Sequence, residues 1–263
     1  MGAWRIELGY DGTNFHGFAR QAGVRTVQGV MEECLARVLK QEVALTAAGR
    51  TDAGVHARSQ VVSFVADQEI DTERLSRSLN GMLGPEVVVT SLSRAPDGFN
   101  ARFSATSRTY RYQVLNTPLP DPMLRHFSWH VPEPLDLTAM NAAATLMCGQ
   151  HDFAAFCRVT QGGTTVRTVL EAFWLPNDPF LAFVIKARAF CHQMVRSIVG
   201  FGVDVGRRRR GADEVPAVLE SGDRSAAAPI APPQGLILWE VGYPPNPQST
   251  VDSPESHVDG LQS

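Results

Sequence analysis

The sequence predicts an α+β fold in which two similar α/β halves share a largely antiparallel central sheet. Strand patterns often follow one another with no helix between them, and the same kinds of element occur twice in similar order. The chain has 263 residues, the length of one large domain or two small ones. Two halves that meet at one sheet leave a cleft between them, where we expect the functional site.

The N-terminal half, residues 1–105, combines strand and helix patterns. Residues 4–10 alternate between apolar and polar side chains, which is typical of a strand with one solvated face. Apolar residues at helical spacing predict a helix over residues 27–39, with Thr26 as its N-cap. Further patterns predict strands over residues 60–65 and 86–92 and a helix over residues 71–83.

The C-terminal half, residues 106–245, repeats a similar order of elements. The patterns predict strands over residues 108–115, 167–175, 181–189 and 236–241 and helices over residues 136–147, 192–205 and 213–220. Residues 246–263 follow a proline-rich run and are polar and acidic, so we expect them to form a disordered tail.

The composition narrows the class of protein. Hydrophobic residues make up 44% and charged residues 19% of the chain, which is ordinary for a globular domain. No apolar run reaches the roughly 18 residues of a membrane helix, and the N-terminus has no signal-peptide pattern, so we expect a cytoplasmic protein. We interpret the four widely separated cysteines as buried thiols: Cys34, Cys148, Cys157 and Cys191.

The formal net charge of −3 conceals an asymmetry along the chain. Residues 1–212 carry 23 basic and 19 acidic groups, whereas residues 213–263 carry one basic and eight acidic groups. The mildly basic body is compatible with a nucleic-acid partner. The four-arginine run at residues 207–210 either faces RNA or is simply solvated.

A loop candidate for catalysis lies just before the second strand pattern, residues 60–65. Here the sequence G-R-T-D-A-G-V-H places Arg50, Asp52 and His56 around two glycines. A tight loop that presents Asp52 beside Arg50 would display a carboxylate for nucleophilic or acid–base chemistry. The alternative is a turn with a surface ion pair, and the spacing alone leaves both open.

Two further stretches carry candidate residues. Period two places Arg108, Tyr110 and Tyr112 on one strand face, which suits base stacking and phosphate contact but is also typical of an ordinary strand core. In the last long helix, Arg196 lies one turn beyond His192 within an apolar stripe. Because an unpaired buried charge is costly, Arg196 should bind a carboxylate or a phosphate, unless it extends to solvent at the edge of the stripe.

The sequence gives little support for a metal or a nucleotide cofactor. The glycines of the last long helix have the wrong spacing for a dinucleotide loop, and no Walker sequence is present. We do not expect a zinc site, because the residues that could form one lack a paired C-x-x-C spacing: Cys148, His151, Cys157, Cys191 and His192.

Short motifs occur in a fixed order from about residue 4 to residue 243. They are G-Y-D-G-T at 9–13, F-H-G at 15–17, T-V-Q at 26–28, G-R-T-D-A-G-V-H at 49–56, F-N-A-R-F at 99–103, R-T-Y-R-Y at 108–112, H-D-F at 151–153, M-V-R at 194–196 and G-L-I-L at 235–238. Together they resemble the bacterial tRNA pseudouridine synthase A family. The G-R-T-D-A-G-V-H block is highly specific for that family.

The resemblance implies the pseudouridine synthase fold and a homodimer that needs no cofactor. It implies isomerisation of uridine to pseudouridine in the anticodon stem-loop of tRNA, at positions 38, 39 and 40. The residues it implies are a catalytic aspartate, Asp52; substrate-binding residues Tyr110, Arg196 and Leu238; and RNA-binding residues Arg50, Asn100, Arg102 and Arg158. Within this set the resemblance ties Arg50 to base flipping.

Three positions depart from the family pattern. Phe18 and Ala19 stand where the family usually has tryptophan and a polar residue, and Gln193 stands where a histidine is usual. These positions neighbour the expected site, so they bear on substrate preference rather than on the reaction. Two rival hypotheses are a catalytically inert RNA-binding protein of the same fold, which would tolerate loss of Asp52, and a metal-dependent deaminase or nuclease.

Overall fold

A computed structural model describes residues 2–158, 163–227 and 229–244. Its strands are β1 (Gly2–Tyr10), β2 (Thr46–Ala47), β3 (His56–Ala66), β4 (Val87–Arg94), β5 (Ser107–Leu115), β6 (Trp129–His130), β7 (Gly149–Asp152), β8 (Val166–Asn177), β9 (Phe180–Ala187) and β10 (Leu236–Gly242). Its helices are α1 (Val27–Leu39), α2 (Thr72–Leu83), α3 (Leu137–Leu146), α4 (Met194–Gly206) and α5 (Val215–Ser221).

All of these strands belong to one sheet. The order along its main path is β4-β1-β3-β10-β5-β9-β8-β7, while β2 pairs with β3 and β6 pairs with β5. The pairs β3–β10 and β5–β6 are parallel, and the remaining pairs are antiparallel. The prediction of an α+β fold with a largely antiparallel sheet is confirmed.

The last strand, β10, joins the two parts of the sheet. It lies between β3 from the first half of the sequence and β5 from the second. The residues that meet in this central region include Ala57, Tyr110 and Leu238, because Leu238 pairs with both of the others. Residues far apart in sequence are therefore brought together where β3, β10 and β5 adjoin.

Helices pack on the sheet through their apolar residues. In the first half, Ile6 and Leu8 of β1 and Met31 and Leu35 of α1 are completely buried. In the second half, α3 contacts both β8 and α4. Burial of these side chains is the main favourable contribution to folding, at about 1.5–3 kcal/mol for each large apolar residue.

The first residues of two helices can be compared with the sequence-based prediction. Thr26 caps α1 by accepting a hydrogen bond from the Gly29 N–H, as predicted. The helix predicted to begin at residue 192 begins instead at Met194. Gln193 precedes it in the left-handed region, at φ 66°, so residues 192 and 193 are not helical.

The interpretation of the cysteines as four buried thiols is wrong: two form a disulfide, and the two free thiols are only half-buried. Cys157 and Cys191 form a disulfide, with a Cα–Cα distance of 5.8 Å. The β8–β9 hairpin causes this pairing, because it brings the residues before β8 close to those after β9. Cys34 and Cys148 are free thiols.

Two other expectations concern the rest of the chain. Within the described residues, no helix has the length and apolar character needed to span a bilayer. The tail predicted at residues 246–263 lies outside the described residues.

Candidate active site

The loop of residues 48–55 lies beside β3 at the centre of the sheet. It follows β2 and leads into β3, whose first residues pair with β10. Asp52 is near the tip of this loop, and its side chain is 26% exposed. The loop predicted from the G-R-T-D-A-G-V-H block is therefore present, and it adjoins the central strands.

Buried polar side chains hold the backbone of this loop. The Arg108 guanidinium donates to the Ala48 carbonyl from Nε at 3.1 Å and from a terminal nitrogen at 2.8 Å. Gln60 Nε2 donates to the Gly49 carbonyl at 2.7 Å. Because buried polar groups are satisfied by these bonds, the loop has a defined position before any substrate binds.

A second pair of contacts fixes the loop at Thr51. The Tyr10 hydroxyl and Thr51 Oγ1 are 2.8 Å apart, and burial raises the pKa of Tyr10 to about 12. The Phe18 N–H donates to the Thr51 carbonyl at 3.1 Å. The G-Y-D-G-T and F-H-G motifs are thus explained structurally, since both lie against the loop.

Glycine is required where these motifs approach the loop. A Cβ at Gly12 would lie 2.1 Å from the Val55 carbonyl oxygen, which no side chain tolerates. Gly17 has φ +91°, and a Cβ there would lie 2.9 Å from the Thr51 carbonyl oxygen. The close backbone contact therefore depends on both residues.

His56, at the end of the loop, is buried and structural. Its Nδ1 accepts a hydrogen bond from the Gly12 N–H at 3.0 Å, and its Nε2 lies 2.8 Å from the His126 carbonyl oxygen. These bonds place the proton on Nε2, since a carbonyl can only accept. Burial lowers the pKa of His56 below its usual value of 6.5.

Asp52 has two basic neighbours. Arg196 of α4 donates to Asp52 Oδ2 at 2.9 Å, and His192 Nε2 lies 3.3 Å from Asp52 Oδ1. The Arg196 side chain is only 15% exposed and is anchored by a 2.8 Å bond from Nε to the Ala231 carbonyl. The prediction that Arg196 binds a carboxylate or a phosphate is confirmed.

An aromatic wall lies beside this ion pair. Tyr110 on β5 is buried, and its ring makes an edge-to-face contact with Phe190 at a centroid distance of 5.1 Å. Burial, with a smaller contribution from the negative charge of Asp52, raises the pKa of Tyr110 well above its usual value. The hydroxyl is therefore protonated at neutral pH. Leu238, completely buried, is the β10 partner of Tyr110.

The structure places the predicted RNA-binding residues around this centre. Arg50 is exposed and precedes Asp52 by two residues. Asn100 and Arg102 form a turn, in which Asn100 Oδ1 accepts from the Arg102 N–H at 3.0 Å and Arg102 is exposed. Arg158 is also exposed, and its backbone N–H donates to the His192 carbonyl at 2.9 Å.

The structure decides between the two interpretations of Arg108. The sequence leaves Arg108 either at an RNA-binding face or in an ordinary strand core, and the structure favours the second, because Arg108 is only 9% exposed. Besides Ala48, its guanidinium donates to three other backbone carbonyls: those of Arg102, Ala105 and Arg188. Its role is to hold the loops together, because its donors are already used.

The arginine run at residues 207–210 is paired with acidic residues. Arg207 and Arg209 bind Glu133 and Asp204, Arg208 binds Asp136, and Arg210 lies 3.8 Å from Glu214. The sequence leaves open whether this run faces RNA or is simply a solvated surface. These contacts favour a surface that does not bind RNA.

Two residues next to the ion pair were not identified as site residues from the sequence. Phe190 and His192 lie in the short segment between β9, which ends at Ala187, and α4, which begins at Met194. The sequence predicts a helix from residue 192, so it places His192 inside the helix rather than in this segment. The only indication of this part of the site in the sequence is the apolar residue Phe190, two positions before His192. No cluster of three His, Cys, Asp or Glu side chains suited to a metal occurs among the described residues.

A carboxylate held by an arginine, beside a buried tyrosine ring and a leucine, has the chemical groups that nucleophilic chemistry on a planar ring would need. The model of the family described as "tRNA pseudouridine synthase" matches residues 8–104 and 143–244. The chain belongs to the tRNA pseudouridine synthase family.

Curated relatives match nearly the whole chain. A protein of Frankia casuarinae named tRNA pseudouridine synthase A is 48% identical over 250 residues, covering 93% of this chain and 90% of the relative. A protein of the same name from Methylacidiphilum infernorum is 41% identical, covering 94% of this chain and 97% of the relative. Streptomyces avermitilis has another, 48% identical, covering 91% of this chain and 87% of the relative.

Proposed function

We propose that this protein isomerises uridine to pseudouridine in the anticodon stem-loop of tRNA, at positions 38, 39 and 40, with Asp52 as the nucleophile. Membership of the tRNA pseudouridine synthase family supports the reaction and its substrate class. The observation that carries the choice of residue is the 2.9 Å bond between Asp52 and Arg196 beside the Tyr110 ring.

The reaction rearranges one glycosidic bond. The C1′–N1 bond breaks, the C1′–C5 bond forms, N1 gains a proton and C5 loses one. Three routes begin at a carboxylate: attack on ribose C1′, attack on base C6, or elimination to a glycal. Each requires Asp52 to be ionised within a partly dry pocket, and Arg196 supplies the adjacent positive charge.

The target base must first leave the helical stack. Unstacking and unpairing cost a few kcal/mol, which binding has to offset. We propose that Arg50, exposed beside Asp52, occupies the position that the uridine leaves. The Tyr110 ring then stacks on the uracil, with Leu238 forming part of the same wall.

Tyr110 is also suited to moving protons. Its hydroxyl is protonated, and a Cβ built at Gly49 would lie 3.6 Å from it, so it faces the catalytic loop. We propose that it gives its proton to N1 of the detached uracil and that the resulting phenolate oxygen then takes the C5 proton, so that Tyr110 ends the reaction protonated as it began. No cofactor is part of this mechanism.

We further propose that the enzyme acts as a cytoplasmic homodimer that contacts the stem-loop through Asn100, Arg102 and Arg158. The modest basic excess of residues 1–212 favours a local contact surface, extended by a second subunit. Sedimentation with and without tRNA tests this assembly. A strictly monomeric complex would contradict it.

Tritium release from C5-labelled uridine in tRNA tests the role of Asp52, because C5 must lose its hydrogen. We expect release by the wild type and almost none by Asp52→Asn, with tRNA binding retained. A matched control is Asp97→Asn, which alters an exposed carboxylate in another loop. Equal release by wild type and Asp52→Asn would remove Asp52 from the mechanism, and release by neither would favour the inert RNA-binding protein.

A further inference from the structure

Several large apolar side chains of the described residues are exposed, and Phe103 is the most exposed aromatic one. It is 78% exposed, whereas Phe173 and Phe127 are 39% and 38% exposed. The guanidinium carbon of Arg102 lies 5.5 Å from the centroid of the Phe103 ring. An aromatic ring and a cation are thus displayed together at the surface.

The turn that carries Phe103 is held in place by hydrogen bonds. Asn100 Oδ1 accepts from the N–H groups of both Arg102 and Phe103, at 3.0 and 3.1 Å. The Asn100 N–H in turn donates to Ser104 Oγ at 3.2 Å. The ring is therefore presented by a fixed backbone, so a ligand need not order the turn.

The same turn is tied to the catalytic loop. Arg108 donates to the Arg102 carbonyl at 2.6 Å and to the Ala48 carbonyl at 2.8 Å. A single buried guanidinium therefore sets the position of Phe103 relative to the loop that carries Asp52. The turn and the loop therefore lie next to each other, which makes the nucleotides adjacent to a uridine at Asp52 the ligands to test at the turn.

We propose that Phe103 is a stacking platform for an unpaired base of the tRNA, distinct from the uridine that is isomerised. Aromatic rings bind bases of any sequence through their π-faces, and Arg102 beside the ring suits a neighbouring phosphate. The inference rests on the proposed function only in that tRNA is the substrate. It adds a base-binding subsite to the phosphate contacts already proposed.

Equilibrium binding of unmodified tRNA to full-length protein tests the subsite. The measurements use the Asp52→Asn background, so that turnover does not interfere. We expect Phe103→Ala and Phe103→Leu each to weaken binding about tenfold, because leucine is apolar but cannot stack. Met123→Ala, at an 80% exposed position in another loop, is the matched control and should bind normally.

A second readout separates stacking from charge. We expect Phe103→Ala to leave the salt dependence of binding unchanged, while Arg102→Ala reduces its slope. Phe103→Trp should retain affinity, and tRNA should quench the emission of the introduced tryptophan beyond the change seen in the parent protein. Normal binding by Phe103→Leu, or no added quenching with Phe103→Trp, would overturn the proposal.

The two proposals fail in different ways. Loss of the stacking subsite would leave tritium release dependent on Asp52. Failure of the Asp52 mechanism would instead leave the Phe103 effects on tRNA affinity in place. Thermal unfolding of each variant verifies that it is folded at the assay temperature.

Discussion

Arginines in two regions of the molecule differ in burial and in the groups that they bind. Arg108 and Arg196 are single residues in apolar surroundings, and they bind backbone carbonyls and the Asp52 carboxylate beneath the site. The run at residues 207–210 is the most basic stretch of the sequence, yet its members pair with nearby acidic residues. The difference teaches that burial and partners, rather than local charge density, decide which arginines build a functional site.

Removal of the Arg108 side chain gives the largest expected effect. Arg108→Ala leaves the Ala48 carbonyl and three others without their donor, so we expect the free energy of unfolding to fall by about 3 kcal/mol. Arg108→Lys should recover little of this loss, because one ammonium cannot span the same carbonyls. Urea unfolding measures the effect, and a lysine variant as stable as the wild type would contradict the assignment.

His192 tests the region around the ion pair without removing it. His192→Ala leaves Asp52 with Arg196 as its partner, so the carboxylate is less firmly oriented. We expect kcat to fall about tenfold while the affinity for tRNA is unchanged. His192→Gln keeps an N–H donor and should restore most of kcat. If both variants lose tRNA affinity instead, His192 is an RNA contact.

The buried His56 gives a pH-dependent prediction. Burial lowers the pKa of His56 in the folded protein. Below about pH 6.5 the imidazole is therefore protonated in the unfolded chain but still neutral in the folded protein. Stability therefore falls as the pH decreases from 6.5, by up to about 1.4 kcal/mol per pH unit from this group. His56→Gln should remove that part of the slope. Unfolding curves from pH 7 to 5 measure it, and an unchanged slope would show that His56 is charged in the folded state.

The arginine run should give the smallest effect. Arg208 and Arg209 are largely exposed, and Asp136 caps α3 without Arg208. We expect the double variant Arg208→Ala, Arg209→Ala to unfold at the same temperature as the wild type and to bind tRNA within about twofold. A large drop in affinity and in its salt dependence would place RNA on this run and reverse the comparison.

The long helices and strands can be predicted from the sequence, because hydrophobic periodicity and helix capping depend on residues close together in the chain. The alternation in β1 and the cap at Thr26 are examples. The strands β2 and β6 cannot be predicted in this way, since two residues are too few to show an alternating pattern. The Cys157–Cys191 link also had no local signal, because it depends on the β8–β9 hairpin.

The candidate site was predictable in part. The motif resemblance identified Asp52, Arg196 and Tyr110, which the structure brings together. Period two correctly placed Arg108 beside Tyr110 on a strand face, but it carries no information on whether a guanidinium is free. The carbonyls that bind Arg108 come from separate loops, so only the tertiary structure reveals its partners.

The central position of β10 has a consequence for protein synthesis. This strand is the last of the described elements, yet its neighbours β3 and β5 were translated much earlier. On the ribosome, a nascent chain therefore exposes two open strand edges until residues 236–242 have emerged from the exit tunnel. Messages truncated before that point would yield chains prone to aggregation rather than a partly active enzyme.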